Sequence, residues 1–176
     1  KWARLEGPKA GLATPPSAAE TFWLADSLAA LLDDLTIERI APAALRAVPP
    51  ENLARNWQPA LNFLDIALNA WPAIVAADGK ADSAALGNER LARQASTAAQ
   101  RYGDRPVIVA GSTGSQPATA DLLQAIAALP RGALVLPGLD TGLSPDALAA
   151  LTDPAQAPHA HPQYGLVRLL QLLGAR

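Results

Sequence analysis

Apolar residues recur at helical spacing through the first half of the chain. The stretch up to Pro16 is rich in glycine and proline and is predicted to be a lead-in. Ser17 and Glu20 are spaced as the two members of a capping box, and apolar residues through Leu32 and Leu35 follow them at helical spacing. A helix is therefore predicted from about residue 17 to 36.

Three more predicted helices follow in the same half of the chain. Pro42 opens a short one that ends before Pro49. The next is long and ends at Gly79, with one apolar stripe made of Trp57, Leu61, Leu64, Leu68, Trp71 and Val75. The fourth is predicted from about Asp82 to Tyr102. These patterns together predict a helical layer.

The hydrophobic period changes near Pro106. Residues 106–110, Pro-Val-Ile-Val-Ala, form a short continuous apolar run, which is typical of a strand buried in a parallel sheet. A Gly-Ser-Thr loop, a helix from Pro117 to Leu129 and a second apolar run at 133–136 follow. This order predicts a parallel β–α–β unit with a right-handed crossover. Because two strands alone make a poor sheet, further strands are expected from chain outside this sequence.

Two more helices complete the predicted pattern. Ser144 and Pro145 begin a short helix that ends near Leu151, and an irregular stretch covers residues 153–162. Leu166 and Leu169 belong to an amphipathic C-terminal helix. The fold class is therefore predicted as α/β but mostly helical by residue count. A helical subdomain is predicted over residues 1–103 and a partial parallel α/β subdomain over 104–176.

Composition narrows the chemistry that this chain can perform. Of its 176 residues 50% are hydrophobic, and the formal net charge of −2 gives no general attraction to nucleic acid. The absence of cysteine excludes disulfides, thiolate nucleophiles and cysteine-bound metals. No apolar run reaches the roughly 18 residues of a membrane span, so no membrane partner is expected and a cytoplasmic location is predicted. Methionine is absent and the chain starts at Lys1, which predicts a piece of a longer protein.

One loop has the composition of an anion-binding site. Its residues are Gly111, Ser112, Thr113, Gly114 and Ser115, with Thr119 in the helix that follows. A glycine-rich turn between a strand and a helix can bind phosphate through backbone N–H groups and the helix dipole. However, the lysine of a P-loop and the G-x-G-x-x-G spacing of a dinucleotide fold are both absent. The commoner explanation is a glycine turn with hydroxyl caps.

Neither a catalytic residue nor a metal site follows from the remaining polar residues. P-loop helicases hold Mg²⁺ with an acidic pair at the end of an apolar strand, but here the strand ends in Ala110 and Gly111. His159 and His161 could bind a metal together with Asp140 or Asp153. Two surface histidines in a proline-rich loop are the commoner explanation of that pair.

A basic stripe is the candidate DNA contact. Its arginines are Arg90, Arg93 and Arg101, which share one face of the fourth predicted helix with Gln94 and Thr97. Such a stripe can contact a DNA backbone, although an ordinary solvated face is the alternative because acidic residues stand nearby. The four tryptophans stand beside helical apolar positions, which predicts core or interface packing in preference to base stacking.

Several long segments of the chain resemble those of a known family. They are Val-Ile-Val-Ala-Gly-Ser-Thr-Gly-Ser-Gln-Pro-Ala-Thr-Ala-Asp-Leu-Leu from Val107, Leu-Pro-Arg-Gly-Ala-Leu-Val-Leu-Pro-Gly-Leu-Asp from Leu129, His-Pro-Gln-Tyr-Gly-Leu-Val-Arg-Leu-Leu from His161, and the stretch from Asn56 to Pro72. In these segments the chain resembles the AddB-type double-strand break repair proteins of alphaproteobacteria. The resemblance extends from about residue 24 to 173.

The resemblance implies a subunit of an ATP-dependent helicase–nuclease that resects broken DNA ends for recombination. An AddB-type subunit pairs with an AddA-type helicase subunit, which contains the working motor, so ATP and Mg²⁺ belong to the parent complex. The family has a helicase-like plan followed by a nuclease domain. No nuclease motif is visible in this chain, and no catalytic residue can be carried over. The strand at 107–111 would correspond to the one that holds the acidic motif in helicase motors.

Together with the strand that ends in Ala110 and Gly111, the resemblance implies an inactivated segment with a partial P-loop-helicase-like β–α–β unit. Its predicted role is scaffolding and contact with DNA or a partner, without a cofactor of its own. One alternative is a small α/β protein that binds a phosphorylated ligand at Gly111–Thr119. Another is a pure interaction module.

Overall fold

The computed structural model describes residues 17–47, 54–153 and 158–174. The predicted lead-in up to Pro16, the stop at Pro49 and part of the irregular stretch before His159 lie outside these residues, and the side chain of Trp57 is not described. The described chain is mostly helical with one small parallel sheet, which confirms the predicted fold class. It divides into two compact units, Lys1–Leu86 and Gly87–Arg176. The predicted boundary at residue 103 stays a prediction.

The first helix begins at the predicted capping box. Helix α1 covers Ala18–Ile37. The Ser17 hydroxyl accepts a hydrogen bond from the Glu20 N–H at 3.2 Å, and the Ser17 N–H donates to Glu20 Oε2 at 2.8 Å. These two bonds satisfy backbone donors that a helix start leaves free. Leu32 and Leu35 are buried, as their spacing predicts.

The long helix predicted to end at Gly79 is confirmed. An aspartate after it forms hydrogen bonds with both this helix and the next one. A short 3₁₀ helix at Pro42–Ala47 precedes helix α2, which covers Ala54–Ala77. Gly79, with a φ of +62°, follows the helix end. The indole N–H of Trp71 donates to Asp82 Oδ2 at 3.3 Å, while Asp82 Oδ1 accepts from the Ala85 N–H at 2.9 Å. Asp82 therefore caps the next helix and holds the half-exposed Trp71.

The predicted single helix from Asp82 to Tyr102 is wrong, because the chain forms two helices there. Helix α3 covers Ser83–Ser96 and helix α4 covers Ala98–Tyr102. Thr97 separates them with a φ of −101° and a ψ of 2°. Its hydroxyl donates to the Arg93 carbonyl at 2.8 Å, and the Ser96 hydroxyl donates to the same carbonyl at 3.0 Å. Side-chain hydroxyls that bond to backbone carbonyls in this way disturb a helix.

The predicted β–α–β order is confirmed, with parallel pairing between the two strands. Strand β1 covers Val107–Ala110 and starts one residue later than predicted, whereas strand β2 covers Gly132–Val135, one residue earlier than predicted. Val107 pairs with Gly132 and Ala110 pairs with Val135. Helix α5, Pro117–Ala127, connects the strands.

The prediction that the strands are buried is right for one face of the sheet and wrong for the other. On one face Val107, Val109 and Leu134 pack against the buried cluster of Ala98, Ile126 and Leu129. On the other face Ile108 is 68% exposed and Val135 is 56% exposed. Helices α4 and α5 supply the cover for the first face only. A continuous apolar run therefore identified the strands correctly but overstated their burial.

Two short helices complete the second unit. Helix α6 covers Pro145–Thr152 and is capped by Ser144, whose hydroxyl accepts from the Ala147 N–H at 3.2 Å. Helix α7 covers Tyr164–Leu172 and packs against α5 and α6. Leu166 and Leu169 are buried as predicted, and Val167 is buried as well. Within the described ranges, every helix is too short or too polar to cross a membrane.

Candidate functional site

The candidate anion loop lies at the carboxyl end of the two-stranded sheet. The Gly111 N–H donates to the Val135 carbonyl at 3.0 Å, so the loop leaves directly from the paired strands. Helix α5 begins at Pro117, and the residue before it, Gln116, makes no side-chain capping bond. Ligands of parallel α/β folds usually bind at this edge, near helix N-termini. The loop therefore has the position that the anion-site prediction requires.

Gly114, however, packs against the interior of the unit. It is buried and has a φ of +59°. A β-carbon built there would lie 2.8 Å from Leu169 Cδ2 and 3.0 Å from Leu123 Cδ1. Both the left-handed backbone and the close approach of two leucines therefore require glycine. In a phosphate cradle the glycine backbone faces the ligand, whereas here it faces hydrophobic side chains.

The hydroxyl groups of the loop bond within the loop. Ser112 Oγ accepts from the Gly114 N–H at 3.3 Å, and the Thr113 hydroxyl donates to Ser115 Oγ at 3.3 Å. Gly111 has a φ of +80° and open space around its α-carbon. The structure thus brings the five predicted residues together. Their arrangement is that of a glycine turn stabilised by its own hydroxyls, with one backbone donor already satisfied.

The residues present do not fit ATP with Mg²⁺. Residues 111–119 contain neither a lysine nor a carboxylate, and β1 ends in Ala110. A nucleotide site of the P-loop type needs a lysine for the phosphates and an acidic group for the metal. Asp140, which follows β2, accepts a hydrogen bond from the Gly142 N–H at 2.9 Å through Oδ1 and stabilises a turn.

The loop that follows β2 is held by a residue that the sequence did not identify. Gln163 Oε1 accepts from the Asp140 N–H at 3.1 Å, and Gln163 Nε2 donates to the Gly138 carbonyl at 2.9 Å. One side-chain amide thereby pairs with the backbone at two points of this loop. A glutamine in an irregular stretch gives no sequence signal for such a role, because its partners stand far away along the chain.

The two histidines take part in local packing and hydrogen bonding. The His159 ring lies edge-on to the Tyr164 ring, with centroids 4.7 Å apart. His161 Nδ1 accepts from the Gln163 N–H at 3.2 Å. Within the described part of the chain, no group of three or more histidine, aspartate and glutamate residues is placed to hold a metal ion.

The three candidate arginines remain exposed, while the polar residues between them bond within the chain. Arg90 and Arg93 lie on α3, and Arg101 lies on α4. Arg101 places its guanidinium carbon 5.9 Å from the centre of the adjacent tyrosine ring. Gln94 Nε2 donates to the hydroxyl of that same residue, Tyr102, at 3.2 Å. The break in the helix is thus bridged by Gln94, and contact between the arginines and DNA stays a prediction.

Comparison of the chain with protein-family models, with curated proteins and with solved structures finds no match.

Proposed function

We propose that the chain is an internal, helicase-like segment of an AddB-type DNA repair protein. Its role is to scaffold the parent protein and to contact DNA or an AddA-type helicase subunit. The observation that supports this proposal best is the packing of Gly114 against Leu169 and Leu123. A loop that has the position of a nucleotide site but serves packing is what an inactivated motor segment would retain.

The end of the first strand supports the same interpretation. A helicase motor needs carboxylates there to hold Mg²⁺ and to align the attacking water. Ala110 and Gly111 have no such group. The sequence resemblance extends through this strand and loop. The proposal therefore accounts for the β–α–β order of elements and for the lack of carboxylates at the end of β1.

DNA contact within the proposed role rests on three exposed arginines, Arg90, Arg93 and Arg101. Guanidinium groups bind phosphate oxygens, and each neutralised phosphate of duplex DNA contributes roughly −0.9 to the slope of log affinity against log salt concentration. Replacing all three by glutamine is expected to flatten that slope measurably. An unchanged slope would remove these residues from the DNA contact.

The proposal as a whole is tested with an AddA-type helicase subunit. The purified chain is mixed with that subunit, and complex formation is followed by size-exclusion chromatography, while ATP hydrolysis and DNA cleavage by the chain alone are assayed with Mg²⁺. We expect a complex and no turnover. Turnover by the chain alone, or failure to associate with the helicase subunit and with DNA, would contradict the proposal.

A second candidate function is binding of a phosphorylated ligand at Gly111–Thr119. The observation that favours it is the N-terminus of α5, where Gln116 makes no side-chain capping bond next to several hydroxyl groups. Calorimetric titration with inorganic phosphate and with nucleotides tests this function. Gly114→Val is a poor probe for it, because that change disrupts packing whether or not a ligand binds. Gln116→Asp is a better probe, because a carboxylate at the start of α5 would repel a phosphate bound there.

A further inference from the structure

Two large aromatic side chains of α1 are exposed to solvent. Phe22 is 70% exposed and Trp23 is 68% exposed. Their rings contact each other edge to face, with centroids 6.4 Å apart and an interplanar angle of 81°. The helix buries Leu32 and Leu35 instead. Adjacent exposed aromatic residues commonly mark a surface that another molecule covers, and aromatic residues are enriched at protein interfaces.

The aromatic pair belongs to a continuous outward face of the helix. Residues three and four positions apart lie side by side on a helix, so Ala19 and Asp26 adjoin both aromatic residues on the preceding and following turns. The aromatic face of α1 consists of Ala19, Phe22, Trp23, Asp26 and Ala30, all of which are exposed. It presents two rings beside small side chains, with a carboxylate in its centre.

The charge of α1 is of one sign. From its cap to its last residue the helix has four carboxylates, Glu20, Asp26, Asp33 and Asp34, and no lysine or arginine. Interaction with the Ser17 hydroxyl, and after it the hydrogen bond donated by the Ser17 N–H, lowers the pKa of the Glu20 carboxyl and so favours its charged form. Asp26 lies on the aromatic face, and Asp33 and Asp34 adjoin Ala30 on the next turn, so these carboxylates favour positive charge on a molecule that covers the face.

The negative charge of α1 indicates which kind of molecule can cover its aromatic face. A second copy that paired through the same helix would bring its own acidic α1 against the first, and nucleic acid or an anionic membrane would be repelled in the same way. We propose that the aromatic face of α1 binds a partner protein whose contacting surface is an apolar strip edged by lysine and arginine. The inference is independent of the proposed function, because it uses only residues of α1.

The test uses a synthetic probe with this chemistry. A fluorescein-labelled helical peptide of leucine and lysine, with its leucines on one face, is titrated with the full chain, and fluorescence anisotropy is measured. We expect saturable binding that Phe22→Ser with Trp23→Ser weakens at least about 10-fold, because truncating central aromatic contacts is among the largest interface effects. Asp26→Asn is expected to weaken binding less and to reduce its salt dependence.

A matched control is available in the other unit. Ile108 is as exposed as Trp23, so Ile108→Thr removes a comparable exposed apolar side chain and should leave binding unchanged. Circular dichroism of each variant checks that the helices persist. Since the changed side chains of α1 are solvent-exposed, their replacement is expected to leave the fold intact.

Several results would overturn the inference. These are the absence of saturable binding, equal binding of the serine variant, and equal binding of a leucine–glutamate peptide of the same pattern. Sedimentation that shows a dimer lost in the serine variant would instead identify a second copy as the occupant. Binding to neutral phosphatidylcholine vesicles that depends on Phe22 and Trp23 would identify a lipid surface. Either of the last two results also overturns the proposed basic partner.

Discussion

Gly114 and Leu169 pack so closely that a side chain has no room between them. A β-carbon at Gly114 would lie 2.8 Å from Leu169 Cδ2 and 2.9 Å from Leu169 Cδ1. This contact joins the loop after β1 to helix α7, although the two residues stand far apart in the chain. The conformation of the candidate anion loop therefore depends on the packing of the C-terminal helix.

Gly114→Ala is expected to destabilise the protein by about 2–4 kcal/mol. The left-handed backbone contributes about 1 kcal/mol or more and the overpacking about 1–3 kcal/mol. Urea unfolding measures the change. Gly111→Ala is the matched control, because Gly111 also has a positive φ, of +80°, but open space around it. Equal losses of stability in the two variants would show that Leu169 does not restrict position 114.

The clash between a side chain at position 114 and Leu169 can be tested separately. If Leu169 causes the clash, Leu169→Ala should relieve it, and the double variant Gly114→Ala with Leu169→Ala should be more stable than the sum of the single effects predicts. Contacting residues show coupling of about 0.5–3 kcal/mol in such cycles. Strict additivity of the two changes in unfolding free energy would contradict a direct contact.

Gln116→Asp is expected to stabilise the protein by about 0.5–1 kcal/mol. Gln116 has an extended backbone at the N-cap of α5 without a capping bond, and aspartate accepts such a bond while its charge complements the helix dipole. The unfolding midpoint in urea measures the change. Gln116→Asn separates capping from charge, because it caps without a formal charge. A loss of stability in both variants would contradict the capping geometry at this position.

Gln163→Ala is expected to loosen the loop after β2. The change removes the bonds to the Asp140 N–H and the Gly138 carbonyl, and each such bond contributes about 0.5–1.5 kcal/mol. Hydrogen exchange of the Asp140 amide should become faster. Gln163→Glu retains the acceptor and loses the donor, so protection of that amide should be largely kept. Unchanged exchange in the alanine variant would contradict the two-point contact.

The start of α1 should depend on pH through Glu20. The pKa of this carboxyl is lowered in the folded protein, mainly by interaction with the Ser17 hydroxyl and then by the hydrogen bond that the Ser17 N–H donates. The stabilisation is therefore present above the unfolded pKa of Glu20, about 4.3, and is lost as pH falls through the lower folded value. The Ser17 amide shift in NMR spectra should follow this titration. Glu20→Gln should keep the cap and remove the pH dependence, and a persistent titration would contradict the assignment.

Local sequence patterns predicted the positions of the helices and strands, but they gave no signal for contacts between residues far apart in the chain. Ser17 and Glu20 predicted the start of α1, since both partners of the capping box are neighbours in the chain. The change of hydrophobic period predicted both strands. The helix break at Thr97 is also local, but it accompanies hydroxyl bonds from Ser96 and Thr97 to the Arg93 carbonyl, which hydrophobic spacing alone does not reveal.

Within the candidate site, composition predicted the position of the loop but not its environment. Glycine and hydroxyl residues between a strand and a helix are typical of both a phosphate cradle and a packed turn. The deciding contact is the one between Gly114 and the side chains of Leu169 and Leu123. The role of Gln163 could not be predicted from the sequence either, because its two hydrogen-bond partners lie in another loop, far away along the chain.

We expect the loop at Gly111–Ser115 to act as a packed turn that binds no nucleotide. Calorimetric titration of the purified chain with ATP and Mg²⁺ measures such binding. Gln116→Asp is the companion variant, since a fixed carboxylate at the start of α5 would repel a phosphate bound there. No saturable heat is expected for either protein, and saturable binding of ATP to the unmodified chain that Gln116→Asp removes would contradict the assignment of a packed turn.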